Sequence, residues 1–390
     1  MSTPRLEIDL DGIARNARTL VDRLSRRGIS VTGVTKATLG SPDIARAFLR
    51  SGVKGLGDSR IENIERLRRA GIGAPVTLVR SPMPSQVRRV VEHADTSFNT
   101  ELEVVAALSA AARRAGRTHR VVLMVELGDL REGILPADLH DAVRATLRLP
   151  NIVLEGIGTN LACRSGVVPD RTNMAELSAL ADALDAAFGR ALGGPLRRVS
   201  GGNSANLGWA LGGADRGRVD DLRLGESILL GRDPLHREAI EGLHTDAIRL
   251  VAEVIESKEK PSRPWGDVAQ GAFGSVGHSP DRGPVRQALL ALGRQDVDPD
   301  DLYPPPGISV RGASSDHLVV ESGQRRLDVG AEVTFGLGYG ALLRAMTSPF
   351  VARTTSGGHG GGVGAGPPAR RGSARPPPVR AETRLLPGGT

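Results

Sequence analysis

Lysine is rare in this chain, and one lysine stands where its chemistry would matter. Lys36 comes directly after the apolar run 31–35, which has the pattern of a buried strand. Arginine keeps its proton in a protein and cannot form an imine. A desolvated lysine can lose its proton and can form an imine. Lys36 is therefore the first candidate for covalent or acid–base chemistry. Of 51 basic residues only four are lysines: Lys36, Lys54, Lys258 and Lys260.

Two glycine-containing segments later in the chain suit an anion such as a phosphate. SGGNS (200–204) follows one apolar run, and RLGES (223–227) follows the next. Glycine lets the backbone approach an anion, and serine hydroxyls with backbone N–H groups can bind its oxygens. A glycine pair is also an ordinary turn, so SGGNS alone leaves both interpretations open.

The elements that must position these residues alternate between helix and strand from Asp11 to about Arg232. Periodicity predicts a helix over Asp11–Arg27 that ends at Gly28, and a second helix that begins at Ser41-Pro42. Eight β/α units in about 220 residues fit a (β/α)8 barrel of the TIM type. The predicted strands are Val31–Thr35, Val53–Gly57, Val76–Val79, Thr96–Phe98, Val121–Leu127, Ile152–Ile157, Leu196–Val199 and Asp221–Leu224.

In such a barrel, the residues that follow each strand face one mouth, where catalytic groups gather. Asp58, Ser59 and Thr100 are as compatible with helix caps as with a site, whereas a strand end gives no structural reason for Lys36. The polar residues at these positions are Lys36, Asp58-Ser59-Arg60, Arg80, Asn99-Thr100, Arg131, Asn160, Ser200–Ser204 and Arg223.

After Gly231 the helical periodicity fades, and short strand-like runs follow one another. We assign residues 11–232 to the barrel and residues 233–350 to an all-β C-terminal domain, which the strand Arg5–Leu10 within residues 1–10 joins. A segment rich in proline and glycine, Lys260–Gly283, interrupts this domain. Its predicted strands are Ala247–Glu256, Ala288–Leu292, Ile308–Val310, His317–Val320 and Arg326–Thr334.

The positive charge belongs mainly to the C-terminal residues. The net charge is +7, but residues 351–390 contain six arginines and one glutamate, which is +5. We expect this tail, rich in glycine and proline, to be disordered because it has too few apolar residues to form a core. A nearly neutral body weakens any case for nucleic-acid binding.

Composition indicates an ordinary globular protein, with 39% hydrophobic and 24% charged residues. We expect no membrane span and no signal peptide, because no run reaches about 18 apolar residues and acidic residues appear within the first ten. A single cysteine, Cys163, excludes an intramolecular disulfide framework. The cytoplasm is the expected location, and no metal site is expected.

An imine-forming lysine at the first barrel strand, with phosphate-binding loops after the last two, indicates pyridoxal 5'-phosphate as cofactor. With these residues in place, the chain resembles the two-domain alanine racemase group, and most closely its alanine/ornithine racemase branch, over about residues 5–350. The resembling segments are VTKATLG (34–40), GDSRIEN (57–63), MVELGDLREG (124–133), EGIGTNLAC (155–163), VSGGNSAN (199–206), LRLGESILLG (222–231), ALGRQDVD (291–298), GASSDHLVV (312–320) and FGLGYGALL (335–343).

The resemblance implies a role for individual residues. Lys36 would bind the cofactor covalently and act as one acid/base, Arg131 would approach the phenolic oxygen, and Asn160 would lie near the ring. Arg223 would face the pyridine nitrogen; because arginine offers donors only, that nitrogen stays unprotonated, which suits racemisation over transamination. The phosphate would be held by Ser200, Gly202, Ser204, Gly225, Glu226 and Tyr339.

The chain departs from the alanine racemase pattern at the second acid/base, which in that group is a tyrosine from the partner chain. The matching segment here reads PWGD, with Trp265, and tryptophan cannot act as a base. Gly40 stands where those enzymes have a further tyrosine. The group that serves the opposite face of the substrate stays open between Asp267, Cys163, His317 and Tyr303.

The residues that would choose the substrate are also suggested by the resemblance. Arg294 and Asp296 match a segment that narrows the substrate channel in alanine racemases, and Asp316 and His317 are further candidate contacts. Asp296 would pair with the terminal ammonium of ornithine or lysine; alternatively it forms a salt bridge with Arg294 or caps a turn.

These observations predict a homodimeric enzyme, with active sites at the interface, that racemises a free amino acid, ornithine- or lysine-like or of broad specificity. Two other interpretations stay open: decarboxylation or D-amino-acid cleavage on the same scaffold, and a cofactor-binding regulator without turnover. The predicted β domain argues against the regulator, because regulators of this kind are single barrels.

Overall fold

The computed structural model describes residues 4–274 and 280–358. A short N-terminal strand, β1 (Arg5–Asp9), leads into the first helix, α1 (Leu10–Ser25). This helix begins where the Asp9 carboxylate accepts a hydrogen bond from the Asp11 N–H, and it buries Ile13, Leu20 and Leu24 on one face.

Eight parallel strands then close into a barrel, as the sequence predicts. Each strand pairs with the next, and the eighth pairs with the first, so that no edge is left open. The strands are β2 (Ser30–Val34), β3 (Gly55–Asp58), β4 (Val76–Leu78), β5 (Thr96–Asn99), β6 (His119–Met124), β7 (Ile152–Gly158), β8 (Arg198–Gly202) and β9 (Asp221–Leu224).

Helices cover the outside of the barrel and bury their apolar faces against it. The longest, α7, begins with a capping box between Asp170 and Asn173 and ends at Gly193 in the left-handed conformation. The helices after α1 are α2 (Pro42–Arg50), α3 (Ile61–Arg69), α4 (Val87–His93), α5 (Leu102–Arg114), α6 (Pro136–Leu147), α7 (Arg171–Leu192), α8 (Leu207–Leu211) and α9 (Glu226–Leu230).

The remaining strands form a second, largely antiparallel sheet of eight strands that includes β1. β1 pairs antiparallel with β10 and parallel with β16. The elements of this part are β10 (Ile248–Pro261), β11 (Pro284–Leu290), β12 (Leu302–Tyr303), β13 (Ser309–Ala313), β14 (Leu318–Glu321), β15 (Glu332–Leu337), α10 (Tyr339–Thr347) and β16 (Ala352–Ser356). The predicted fold class, a TIM-type barrel with a C-terminal β domain, is confirmed.

Four details of the sequence prediction are wrong. Residues 200–202 continue β8 instead of forming a loop. The run predicted as strand Arg326–Thr334 is a turn up to Ala331, because Asp328 and Gly330 close it; the strand begins at Glu332. The β region contains a helix, α10. Finally, Ala352–Ser356 are a strand although we predict them in the disordered tail; residues 359–390 of that tail lie outside the described residues.

Within the described residues, none of the helices has the length and apolar character needed to cross a membrane.

Candidate active site

A cavity of about 530 Å³ lies at the carboxyl ends of the barrel strands. This is the end at which parallel barrels carry their functional residues. Most of the residues that line it have charged or polar side chains. The lining residues are Val34, Lys36, Ala37, Ser59, Val79, Arg80, Ser81, Arg131, Glu132, Asn160, Ala162, Cys163, Asn203, Ser204, Arg223, Gly225, Glu226, Pro234, Arg237 and Tyr339.

Lys36 begins a short turn directly after β2, and neighbouring residues fix this turn. The hydroxyl of Thr35 donates a 2.7 Å hydrogen bond to the buried carboxylate of Asp58, the last residue of β3. Burial lowers the pKa of Lys36, and the largest opposing influence is the sulfur of Cys163. Within the described residues the Lys36 amine makes no hydrogen bond or ion pair, and it lies over the Tyr339 ring, 5.9 Å from Nζ to the ring centroid.

Arg223 carries a guanidinium into the interior of the barrel, where it is 5% exposed. It donates hydrogen bonds to the Ser200 hydroxyl at 2.6 Å, to the Thr159 carbonyl at 2.7 Å and to the Asn160 side-chain oxygen at 3.2 Å. Burial lowers the pKa of Arg223 to about 10, which still leaves it charged at neutral pH. The Phe98 ring lies beside it, 5.1 Å from the guanidinium carbon.

A buried carboxylate balances this charge. The Ser200 hydroxyl, which accepts from Arg223, donates to Asp221 at 2.5 Å, and Thr32 donates to the other oxygen of Asp221 at 2.7 Å. Asp221 is the largest influence that opposes the lowering of the Arg223 pKa. Ser200 is therefore part of this network and does not line the cavity. The sequence interpretation, which treated residues 200–204 as a loop, had placed it in the cavity wall.

The wall between β8 and β9 presents small residues and hydroxyls. Ser204 lines the cavity, and its hydroxyl accepts hydrogen bonds from the N–H and hydroxyl of Ser227. Gly225 approaches β2 so closely that a Cβ there would lie 3.1 Å from the Val34 carbonyl oxygen. Gly202 is not in the cavity wall; its φ of +146° lets the chain turn over the Asn206 side chain.

Glu226, Arg237 and Tyr339 form another part of the wall. Burial raises the pKa of Glu226 to about 7, and Arg237 donates to its carboxylate at 3.0 Å. Burial also raises the pKa of Tyr339 well above its usual value, so this hydroxyl stays protonated and can donate a hydrogen bond.

Arg131 and Cys163 come from two loops that a single carboxylate ties together. Asp129, in the first loop, accepts hydrogen bonds from the backbone N–H groups of the second, including those of Cys163 and Arg164. Burial would raise the pKa of Asp129, but these backbone donors outweigh it and lower the pKa. Arg131 is paired with Glu132 and approaches the Cys163 sulfur at 2.6 Å.

The candidate substrate residues lie elsewhere. Asp296 is 4% exposed, and its oxygens accept from the Ser348 hydroxyl and the Gly293 N–H, so it links the turn after β11 to the C-terminal end of α10. Asp316 and His317 bond to each other at the exposed turn between β13 and β14. None of the three lines the cavity within the described residues.

Of the four candidates for the second acid/base, Cys163 lies in the cavity wall. Asp267 is exposed on the connection between β10 and β11, and His317 belongs to the exposed turn already described. The Tyr303 ring packs under Arg232, 4.5 Å from its guanidinium carbon.

Sequence reasoning missed two neighbours of Glu226 in the wall, Pro234 and Arg237. Both lie just beyond residue 232, where we end the barrel, in a loop without strand or helix pattern. One signal was available: RDPLHRE (232–238) holds three basic residues directly after the RLGES segment.

A closed parallel barrel whose strand ends converge on a half-buried lysine and a buried arginine has the architecture and the site of a barrel enzyme. The family model "Alanine racemase, N-terminal domain" matches residues 8–233, which is more than half of the chain. The chain therefore belongs to the alanine racemase N-terminal domain family and is a racemase-family enzyme.

Two curated relatives match nearly end to end. The chain is 37% identical to the ornithine racemase of Acetoanaerobium sticklandii over 354 residues, which cover 90% of this chain and 99% of that one. It is 39% identical to the lysine racemase of Thermotoga maritima over 355 residues, which cover 90% and 98%.

Solved structures share the fold at lower identity. The alanine racemase of Streptomyces lavendulae superposes with a TM-score of 0.69 at 22% identity, over 92% of this chain and 98% of that one. The alanine racemase of Bartonella henselae, which has covalently bound pyridoxal phosphate, superposes with a TM-score of 0.65 at 17% identity, over 91% and 100%.

Proposed function

We propose that this protein is a pyridoxal 5'-phosphate-dependent racemase that interconverts the L- and D-forms of a free amino acid, with ornithine or lysine as the preferred class of substrate. The observation that carries the proposal is the half-buried Lys36 amine, which has no ionic partner among the described residues and lies in a cavity with Arg223, Ser204 and Tyr339. The ornithine and lysine racemases reported above support the choice of substrate.

The residues of the cavity fit this cofactor. Lys36 offers an amine for the covalent bond, and the buried side-chain nitrogen of Asn160 has no hydrogen-bond partner in the described structure. Ser204, Gly225, Glu226 through its backbone, and Tyr339 would hold the phosphate, while Arg223 would face the pyridine nitrogen and Arg131 the phenolic oxygen. The cofactor would withdraw electrons from the bound amino acid and so make its α-proton acidic.

The protein's own part is to move and position protons. Burial lowers the pKa of Lys36, which favours the neutral amine that can accept a proton from the α-carbon on one face. Arg223 has donors only, so it supplies positive charge without giving the ring nitrogen a proton. The Asp221–Ser200 pair holds that guanidinium in place.

We also propose that the enzyme works as a homodimer. The connection between β10 and β11 exposes large apolar side chains: Trp265 is 84% exposed, and Val268 and Phe273 are each 52% exposed. Exposed apolar groups of this size on one segment favour a protein interface. Trp265 also stands in the PWGD segment, which matches the segment that crosses between subunits in the alanine racemase group.

The proposal is tested with single L- and D-amino acids in deuterated water, scored for deuterium at the α-carbon and for chirality. We expect α-deuterated product of inverted chirality, with a kcat/KM for ornithine and lysine at least about tenfold above that for alanine and serine, a ratio set by one charge-assisted hydrogen bond. Lys36→Ala serves as the inactive control. Release of carbon dioxide or of an aldehyde from the amino acid would instead identify a decarboxylase or a lyase.

A further inference from the structure

Arg80 is a cation in the cavity wall that the protein itself does not use. It follows β4, where the Val79 N–H donates to the Asp58 carbonyl at 2.9 Å. On its other side, the Ser81 hydroxyl lies 3.3 Å from that of Thr100. The backbone is thus fixed on both sides of Arg80, and its half-buried side chain faces the cavity. Across residues 4–274 and 280–358, its guanidinium has no hydrogen bond, ion pair or ring contact.

The other arginines of the cavity are already engaged. Arg131 is paired with Glu132, and Arg237 with Glu226. Arg223 donates hydrogen bonds to Ser200, Thr159 and Asn160 inside the barrel. In the described structure, Arg80 is therefore the arginine of this wall whose charge is left for a ligand.

The carboxylate of Asp58, at the end of the neighbouring strand β3, already has hydrogen-bond partners. Asp58 is fully buried, and one of its oxygens accepts from the Thr35 hydroxyl. Its other oxygen accepts from the Arg60 N–H and the Asn63 side chain, each at 3.0 Å. Asp58 thus fixes the turn that carries Lys36 and leaves Arg80 without a carboxylate from its neighbouring strand.

We propose that Arg80 binds the α-carboxylate of the substrate. This inference rests on the proposed function and names the residue that holds the group shared by every amino acid. A carboxylate that leaves water for a cavity needs a charged donor, and the planar fork of arginine matches its two oxygens. Lys36 and Arg80 follow β2 and β4, which both pair with β3, so the amine and the guanidinium reach the cavity from the same side of the barrel.

The test compares the cofactor-loaded wild-type enzyme with Arg80→Gln, Arg80→Lys and Arg114→Gln. Arg114 is exposed in the last turn of α5, away from the cavity, and serves as the matched control. The ligands are L-ornithine and L-ornithinamide, in which a neutral carboxamide of nearly the same shape replaces the carboxylate. Three quantities are measured: kcat and KM for ornithine, the Kd of both ligands by calorimetry, and the visible absorbance of the bound cofactor.

We expect Arg80→Gln to raise KM and Kd for ornithine by about 10- to 100-fold, the range of a charge-assisted hydrogen bond, and to leave binding of the amide nearly unchanged. The wild-type preference for the acid over the amide should therefore collapse in Arg80→Gln, persist in Arg114→Gln and be partly kept in Arg80→Lys.

Two results would overturn the assignment. A preference for the acid that survives in Arg80→Gln would show that another group binds the carboxylate, and a loss of cofactor absorbance in Arg80→Gln would show that Arg80 holds the cofactor instead. If the wild-type enzyme racemises no amino acid, the proposed function fails, and the calorimetric comparison of acid and amide still decides the role of Arg80.

Discussion

Arg223 keeps its charge inside the barrel because Asp221 compensates it through the Ser200 hydroxyl. Replacing Asp221 with Asn keeps the shape but removes the compensating charge, and an uncompensated buried charge costs about 3–5 kcal/mol. We expect Asp221→Asn to lower the free energy of unfolding by about that amount, measured by denaturant titration at neutral pH.

The control for this variant is Asp182→Asn. Asp182 pairs with Arg218 on the surface and has a side chain that is 65% exposed. An exposed pair contributes about 1 kcal/mol or less, so this variant should be nearly neutral. Equal losses in the two variants would show that Asp221 does not compensate a buried charge.

At this scale the sequence predicts a residue well when its position follows from a strand end. Lys36, Arg131, Asn160, Ser204 and Arg223 all lie in or at the cavity because the barrel brings their strand ends together. The positions of Asp296, Asp316 and His317 cannot be predicted in this way, because none of them follows a barrel strand. They lie in turns of the β region, whose direction depends on packing that the sequence does not reveal.

Backbone strain is concentrated in the loops around the cavity. Leu39, Leu130, Ala162 and Arg237 all have φ between 52° and 63°, in the left-handed region that costs a side chain about 1–3 kcal/mol. Ala162 and Arg237 line the cavity. Leu130 directly precedes Arg131, and the Leu39 N–H donates to the Lys36 carbonyl. Loops of this kind cannot be derived from hydrophobic patterns, because the strain is held by contacts distant in sequence.

The pairing of β5 with β6 buries a histidine and makes this element sensitive to acid. His119 begins β6, is 1% exposed and lies 2.9 Å from the Ser97 hydroxyl of β5. Burial lowers its pKa from 6.5 to about 4. Between these two values the unfolded chain holds the proton and the folded chain does not, so folding becomes less favourable as pH falls from about 6.5 to 4.

Replacing His119 with Gln removes this dependence and keeps a hydrogen-bonding side chain. The wild-type protein should lose about 3 kcal/mol more stability than His119→Gln between pH 6.5 and pH 4, because lowering the pKa from 6.5 to about 4 corresponds to a free energy of about this size. Denaturant titrations of both proteins across this range measure the difference. Parallel curves would mean that His119 is not buried in its neutral form.

Elements with an apolar period were predicted from the sequence, and elements held by backbone pairing alone were not. Every barrel strand was found to within a few residues because its side chains are buried. The strand Ala352–Ser356 has mostly exposed side chains and, in the described part of the chain, pairs with β1 alone at the edge of the sheet, so no apolar alternation marks it. Helix α10 was missed because Gly338 and Gly340 around Tyr339 suggest a turn.

At the scale of the whole molecule, the folded part of the chain includes β16, past residue 350. Truncation after Gly358 removes only residues outside the described part, and we expect it to leave the melting temperature and turnover nearly unchanged. Truncation after Val351 removes five residues paired with Arg5–Asp9, as well as the hydrogen bond from Thr354 to the Leu6 carbonyl. It should lower the free energy of unfolding by roughly 1–3 kcal/mol.

Calorimetry and turnover of the two truncated proteins check this boundary. If both truncations behave alike, β16 contributes nothing to the fold, and the earlier boundary at residue 351 stands.

Covalent binding of the cofactor to Lys36 can be measured directly, because the chain has only four lysines. The protein is saturated with pyridoxal 5'-phosphate, reduced with borohydride, digested and mapped by mass spectrometry. The alternatives are Lys54, Lys258 and Lys260, of which the last two are paired with Glu256. We predict a single phosphopyridoxyl adduct on the peptide that contains Lys36, and its loss in Lys36→Ala. An adduct on one of the other three lysines, or none at all, would contradict the account.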